Sequence, residues 1–84
     1  MPKFIDYHAQ LPQMPPEMMQ QVAASVKAGK ADAFGVVPLN LFVGDGGQAY
    51  CLSEAPNAQA VLESHRAIGV PQESHNIVQV QSLA

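Results

Sequence analysis

Apolar and polar residues alternate over residues 3–8 and again over residues 75–81, which is the period of a half-buried β-strand. Residues 34–43 are apolar and β-branched and predict a further strand. Pro38 places that strand at a sheet edge or at a bulge, because proline has no N–H for the ladder. The Gly-Asp-Gly-Gly segment after it is a hairpin signal, so residues 48–53 form the returning strand.

Two segments have helical periodicity. The first begins after Pro15, since proline is tolerated in the first turn, and its pattern weakens at Gly29. The second spans residues 58–68, with Asn57 as its N-cap and Gly69 at its end. Its inward stripe at i, i+3, i+4, i+7 and i+10 spacing contains Ala58, Val61, Leu62, His65 and Ile68.

The resulting order is β-α-β-β-α-β, which is the pattern of a ferredoxin-like α+β domain. Such a domain has a four-stranded antiparallel sheet with two helices on one face, and its first and third strands are central. We expect one domain over residues 1–84, because a chain of this length supports a single core.

The first strand carries a carboxylate and an imidazole on one face. Asp6 and His8 are two residues apart, so they point the same way, ~7 Å apart along the strand. Cys51 lies on the corresponding face of the third strand, and His65 lies in the helical stripe that must pack on the sheet. The pattern therefore predicts a polar pocket with Asp6 and His8 on its floor and His65 above them.

Carboxylate, imidazole and thiolate are ligands of divalent transition metals, so the candidate metal ligands are Asp6, His8, His65 and Cys51. Two alternatives stay open. In a small pocket enzyme of the oxygenase or isomerase type, or in an organic-ligand-binding domain, His65 would act as a general base oriented by Asp6. In a scaffold without chemistry, the same residues would form hydrogen-bonded pairs in the core.

The opposite face of the sheet is apolar and would be uncovered in a monomer. Its predicted residues are Ile5, Tyr7, Tyr50, Leu52, Val78 and Val80. Exposed apolar surfaces of this size mark interaction sites. We therefore expect a homodimer with the two sheets packed face to face, as in dimeric α+β barrels. A charged fraction of 13%, against a usual ~25%, agrees with a covered surface.

The net charge of −3 with only four Lys and Arg residues argues against nucleic acid and against anionic membrane surfaces. No apolar run approaches the ~20 residues that span a bilayer. The start of the chain lacks the features of a secretory signal, and the single cysteine excludes an intramolecular disulfide. These observations predict a cytoplasmic protein.

Three segments carry a resemblance to a known family: the opening MPKFIDYH, the block YCLSEAPNAQAVLESHRAIG and the closing IVQV. They resemble a family of small ferredoxin-like domains of unknown function that includes a dimeric nickel-binding protein. The resemblance implies a dimer and a divalent-metal site at Asp6, His8 and His65, with nickel as the expected ion and zinc or copper as alternatives. Many members of that family carry a histidine on the first helix near the position of Ala23. If that histidine ligates the metal in them, the resemblance implies that this chain has one ligand fewer.

Overall fold

The computed structural model has one antiparallel sheet with the strand order β2-β3-β1-β4. Its elements are β1 (Lys3–His8), α1 (Pro16–Ala28), β2 (Val37–Val43), β3 (Ala49–Glu54), α2 (Ala58–Ala67), a 3₁₀ turn (Ser74–Asn76) and β4 (Ile77–Val80). The ferredoxin-like α+β order is confirmed, and β1 and β3 are central as expected. The structure describes residues 1–11 and 15–83, so the predicted turn-rich loop after β1 lies partly outside the described residues.

The start of β2 differs from the prediction, because Asp32 builds a turn in front of it. Its Oδ1 accepts hydrogen bonds from the backbone N–H groups of Phe34, at 2.8 Å, and Val36, at 3.0 Å. Gly35 between them has a φ of 83°, which favours glycine. These backbone groups are therefore used in the turn, and the strand begins at Val37 rather than at residue 34. Pro38 lies in this edge strand beside a register shift, as predicted.

The core lies between α2 and the sheet. Asn57 caps α2, since its side chain accepts a hydrogen bond from the N–H of Ala60 at 2.8 Å. Val61 is fully buried, and the other core residues are Phe4, Val36, Ala55, Ala60, Leu62 and Ile77. The predictions that Ala58 and Ile68 face the core were wrong. Ala58 is exposed in the first turn of α2, and Ile68 follows the end of the helix at Ala67 and is 65% exposed.

The first helix is less deeply packed than the second. No residue of α1 is buried over Pro16–Ala28, and a cavity of about 310 Å³ separates it from β2, lined in part by Met19, Ala23 and Leu41. The four candidate ligands predicted from the sequence lie instead on β1, β3 and α2. No described helix has the length and hydropathy that crossing a bilayer requires.

Strand register gives the sheet two distinct faces. Asp6 of β1 pairs with Cys51 of β3, and the next pair along, Tyr7 with Tyr50, points to the opposite side. Asp6 and His8 are buried beneath α2, whereas Tyr50 is 45% exposed. The alternation predicted from the sequence is thus present in the fold, with the polar cluster on the helix-covered face.

Candidate metal centre

The fold brings all four predicted ligands together. Asp6 and His8 project from β1, Cys51 projects from β3 directly opposite Asp6, and His65 projects from α2. One ligand atom from each residue lies within 4.8 Å of the ligand atoms of the other three. Asp6 and His8 therefore lie on the sheet side of the pocket and His65 lies on the helix side, as strand and helix periodicity predicted.

A single carboxylate oxygen is the centre of this cluster. Asp6 Oδ1 lies 2.8 Å from His8 Nε2 and 3.1 Å from His65 Nε2, and it accepts a hydrogen bond from Gln72 Nε2 at 3.0 Å. The Asp6 side chain is 1% exposed. Three nitrogen atoms thus converge on one buried oxygen.

The Asp6 carboxyl is held in its charged form. Burial raises its pKa, but the hydrogen bonds with His65 and His8 and the charges of the same rings outweigh burial and lower the pKa to about 2. Asp6 is therefore a carboxylate at any physiological pH, which is the state that a metal ligand requires.

The ring of His65 is oriented by the backbone of its own helix. Its Nδ1 lies 2.8 Å from the carbonyl oxygen of Val61, and a carbonyl only accepts, so Nδ1 carries the hydrogen. In the neutral ring Nε2 then has a lone pair, and this lone pair faces the Asp6 carboxylate. Two acceptors at 3.1 Å require a cation between them, either a proton or a metal ion.

Without a metal, the proton takes that position. Burial lowers the pKa of His65, but the hydrogen bonds with Asp6 and with the Val61 carbonyl, and the charges of Asp6 and Asp32, raise it overall. Metal-ligating histidines typically donate one ring N–H to a carbonyl and direct the other nitrogen at the metal site, as His65 does toward Asp6.

Two buried side-chain oxygens in the described part of the chain have no hydrogen-bond partner: Asp6 Oδ2 and Ser53 Oγ. Buried carboxylate oxygens in folded proteins almost always accept at least one hydrogen bond or bind a cation. The free oxygen of Asp6 therefore fits a divalent ion, as does the mixture of imidazole, carboxylate and thiol around it.

Cys51 is a neutral thiol in the absence of a metal. Burial, the negative charge of Asp6 and the contact of the thiol with that carboxylate raise the pKa of Cys51 to about 12. A thiol of this kind is a poor nucleophile, because the thiolate is the reactive form. It becomes a ligand only if a metal ion replaces its proton.

Gln72 is a member of the cluster that the sequence did not reveal. It lies in the loop between α2 and the 3₁₀ turn, and its amide nitrogen donates to Asp6 Oδ1 and, at 3.3 Å, to the Tyr7 carbonyl. No periodicity marks this position, and the contacts with Asp6 and Tyr7 join residues far apart in the chain. His75 nearby is not part of the cluster, since its side chain is 70% exposed beside Glu73.

Asp32 is a second supporting residue, and the periodicity of the sequence does not indicate it. Its Oδ2 accepts a hydrogen bond from the hydroxyl of Ser64, the neighbour of His65 on α2. Asp32 thereby ties the turn before β2 to the helix that carries His65. In an Asx turn, an aspartate side chain accepts a hydrogen bond from the backbone N–H two residues further on. This turn pattern is the sequence signal for Asp32.

Comparison with known proteins supports the fold. The chain matches no protein-family profile. No curated protein matches it. Among solved structures, the crystal structure of SCO4226 from Streptomyces coelicolor A3(2) is similar, with a TM-score of 0.71 and 25% sequence identity over 98% of this chain and 99% of that chain.

Proposed function

We propose that this chain is a small metal-binding protein that holds a divalent transition-metal ion through His8, His65 and Asp6, with Cys51 as a fourth ligand. One observation carries the proposal: His65 donates from Nδ1 to the Val61 carbonyl and directs Nε2 at a buried carboxylate whose other oxygen has no partner. This donor set needs a cation, and its chemistry favours a metal.

The distances support the same conclusion. Ligand atoms around an ion with bonds of ~2.0–2.3 Å lie at most ~4.6 Å apart. The four ligand atoms here lie within 4.8 Å of one another, so small rotations of the side chains are sufficient for ligation. No rearrangement of the sheet or of α2 is required.

The ligand types favour borderline ions over hard ones. Imidazole suits nickel, copper and zinc, whereas magnesium and calcium prefer sites made of oxygen atoms. Nickel is the first ion to test, because the chain resembles a family with a nickel-binding member. An acid–base function on an organic ligand has less support, since both ring nitrogens of His65 face protein acceptors and leave none for a substrate.

Calorimetric titration of chelator-stripped protein with Ni²⁺, Zn²⁺ and Cu²⁺ tests the proposal. We expect one ion per chain for at least one of the three metals. Mg²⁺ is the matched control, and it should produce no saturable heat. Absence of saturable binding for all three transition metals would refute the proposed function.

The affinity for the metal should rise with pH. Because the pKa of His65 is raised above its ordinary value of about 6.5, a proton competes with the metal up to that higher pH. Below the raised pKa we expect affinity to fall by about 100-fold for each pH unit, since each bound ion displaces one proton from His65 and one from the Cys51 thiol. Titrations between about pH 5.5 and 8.5 measure this slope.

The metal-free protein should show the opposite trend in stability. The protonated His65 contributes stability below its ordinary pKa, and that contribution is lost as the pH rises through the raised value. Thermal unfolding with and without metal over the same pH range therefore distinguishes the two effects. An affinity that does not change with pH would contradict ligation by His65.

We also propose that two copies of the chain pair through the open face of the sheet. Exposed apolar side chains cover this face, including Ile5 (38% exposed), Phe42 (54%), Tyr50 (45%) and Val78 (55%). A standard interface buries ~800 Å² on each partner, which is about a seventh of the 5570 Å² accessible surface of this chain. A flat apolar face without a covering helix fits a second copy of itself.

A further inference from the structure

The Gln72 side chain lies between the candidate metal centre and the surface. A cavity of about 370 Å³ opens at this end of the sheet, and its lining includes His8, Pro71 and Gln72. Gln72 is half-buried, and its amide nitrogen lies 3.0 Å from Asp6 Oδ1 and 3.4 Å from His8 Nε2. An ion that enters from this cavity must pass the amide.

The amide is held firmly in this position. Its nitrogen has two hydrogens, and it donates them to Asp6 Oδ1 and to the Tyr7 carbonyl. Its oxygen accepts a hydrogen bond from the backbone N–H of Glu73 at 2.9 Å. The polar atoms of the Gln72 side chain are therefore all used, and two of its partners belong to the strand that carries the ligands.

The hydrogens of the amide carry partial positive charge, and one of them points at Asp6 Oδ1, the oxygen that also faces His8 and His65. An ion on Asp6 Oδ1 would lie beside these hydrogens and be repelled by them. The amide lies on the cavity side of Oδ1, so an ion that binds Oδ1 from that side displaces this hydrogen bond.

We infer that Gln72 is a built-in competitor of the metal ion, whose amide holds Asp6 in the metal-free protein and must leave as the ion enters. This inference rests on the proposed function. On this inference Gln72, together with the ligand residues, controls the affinity for the metal and the rate at which the metal exchanges. Gln72 contributes no bond to the metal, and its amide acts by occupying a lone pair of Asp6 Oδ1.

Two variants separate competition from simple obstruction. Gln72→Ala removes both the donor and the bulk, whereas Gln72→Leu removes the donor and keeps most of the bulk. Gln79→Ala is the matched control, because Gln79 is an exposed glutamine on β4. Circular dichroism melting of each variant checks that the fold is retained.

Calorimetric affinity and stopped-flow association with Ni²⁺ and Zn²⁺ are measured for the four proteins. We expect both Gln72 variants to bind metal about tenfold more tightly than the unmodified chain, since a hydrogen bond to a charged oxygen no longer has to break. Association should be faster in Gln72→Ala than in Gln72→Leu, and Gln79→Ala should change neither quantity.

These measurements distinguish failure of the Gln72 inference from failure of the proposed metal-binding function. If the unmodified chain binds metal and both Gln72 variants bind equally or more weakly, the inference is overturned and the metal site stands. If only the Gln72 variants bind metal, the proposed function is refuted for the unmodified chain, while competition by Gln72 is confirmed. If none of the four proteins binds a transition metal, the proposed function and the inference both fail.

Discussion

A chain with both His8→Ala and His65→Ala will bind Ni²⁺ or Zn²⁺ at least about 100-fold more weakly than the unmodified chain. Loss of residues that merely orient a ligand lowers metal affinity ~10–100-fold, and here two of the four ligands are removed. Asp6 and the neutral Cys51 thiol would remain, and together they form a weak site. Calorimetric titration of the stripped proteins gives the comparison.

Two further variants sharpen this test. His75→Ala removes a histidine whose side chain is 70% exposed and outside the cluster, so its affinity should equal that of the unmodified chain.

The double variant leaves the Asp6 carboxylate buried with fewer partners, which is destabilising. A double His→Gln version at positions 8 and 65 retains hydrogen-bond donors for Asp6 and should fold while it loses the metal. Equal affinity in all of these proteins would show that the ions bind elsewhere.

Glutamate substitutions at Ile5 and Tyr50 will convert the proposed dimer to a monomer. These side chains lie on the open face of neighbouring central strands, and in a symmetric pair each new charge appears twice. An unpaired carboxylate in an apolar interface costs several kcal/mol, so the dissociation constant should rise at least about 100-fold. Sedimentation velocity should give twice the 8.9 kDa mass for the unmodified chain and the single mass for the variant.

Ile68→Glu is the matched control for this prediction. Ile68 is 65% exposed at the end of α2, on the opposite side of the sheet, so a charge there should leave the dimer intact. The variant with glutamate at Ile5 and Tyr50 should keep its metal affinity, because the ligands lie on the helix-covered face. A monomeric unmodified chain at high concentration would contradict the proposed interface.

Local periodicity was sufficient to predict most of the candidate site. The alternation of β1 determined that Asp6 and His8 share a face, and the helical stripe determined that His65 points at them. The β-α-β-β-α-β order then made β1 and β3 neighbours, which placed Cys51 opposite Asp6. Each of these steps depends on backbone geometry that nearby residues dictate.

The features that could not be predicted depend on contacts between distant residues. Gln72 lies in a loop without a pattern, and its partner Asp6 is 66 positions away. Asp32 acts on α2 through Ser64, 32 positions further along. Ile68 fitted the stripe but follows the last helical turn, where hydrogen bonds at the helix end decide the direction of the side chain. Loop contacts of this kind become visible only once the sheet and helices are assembled.

The most direct measurement is an anomalous-difference map from crystals grown with Ni²⁺ or Zn²⁺, recorded at the absorption edge of the metal. We expect one strong peak per chain beneath α2, within ~2.0–2.3 Å of His8 Nε2, His65 Nε2 and an oxygen of Asp6. The Gln72 amide should be displaced from Asp6 in the same map. A peak only at surface residues such as His75, with the Asp6 cluster unchanged from its metal-free geometry, would contradict the proposed metal centre.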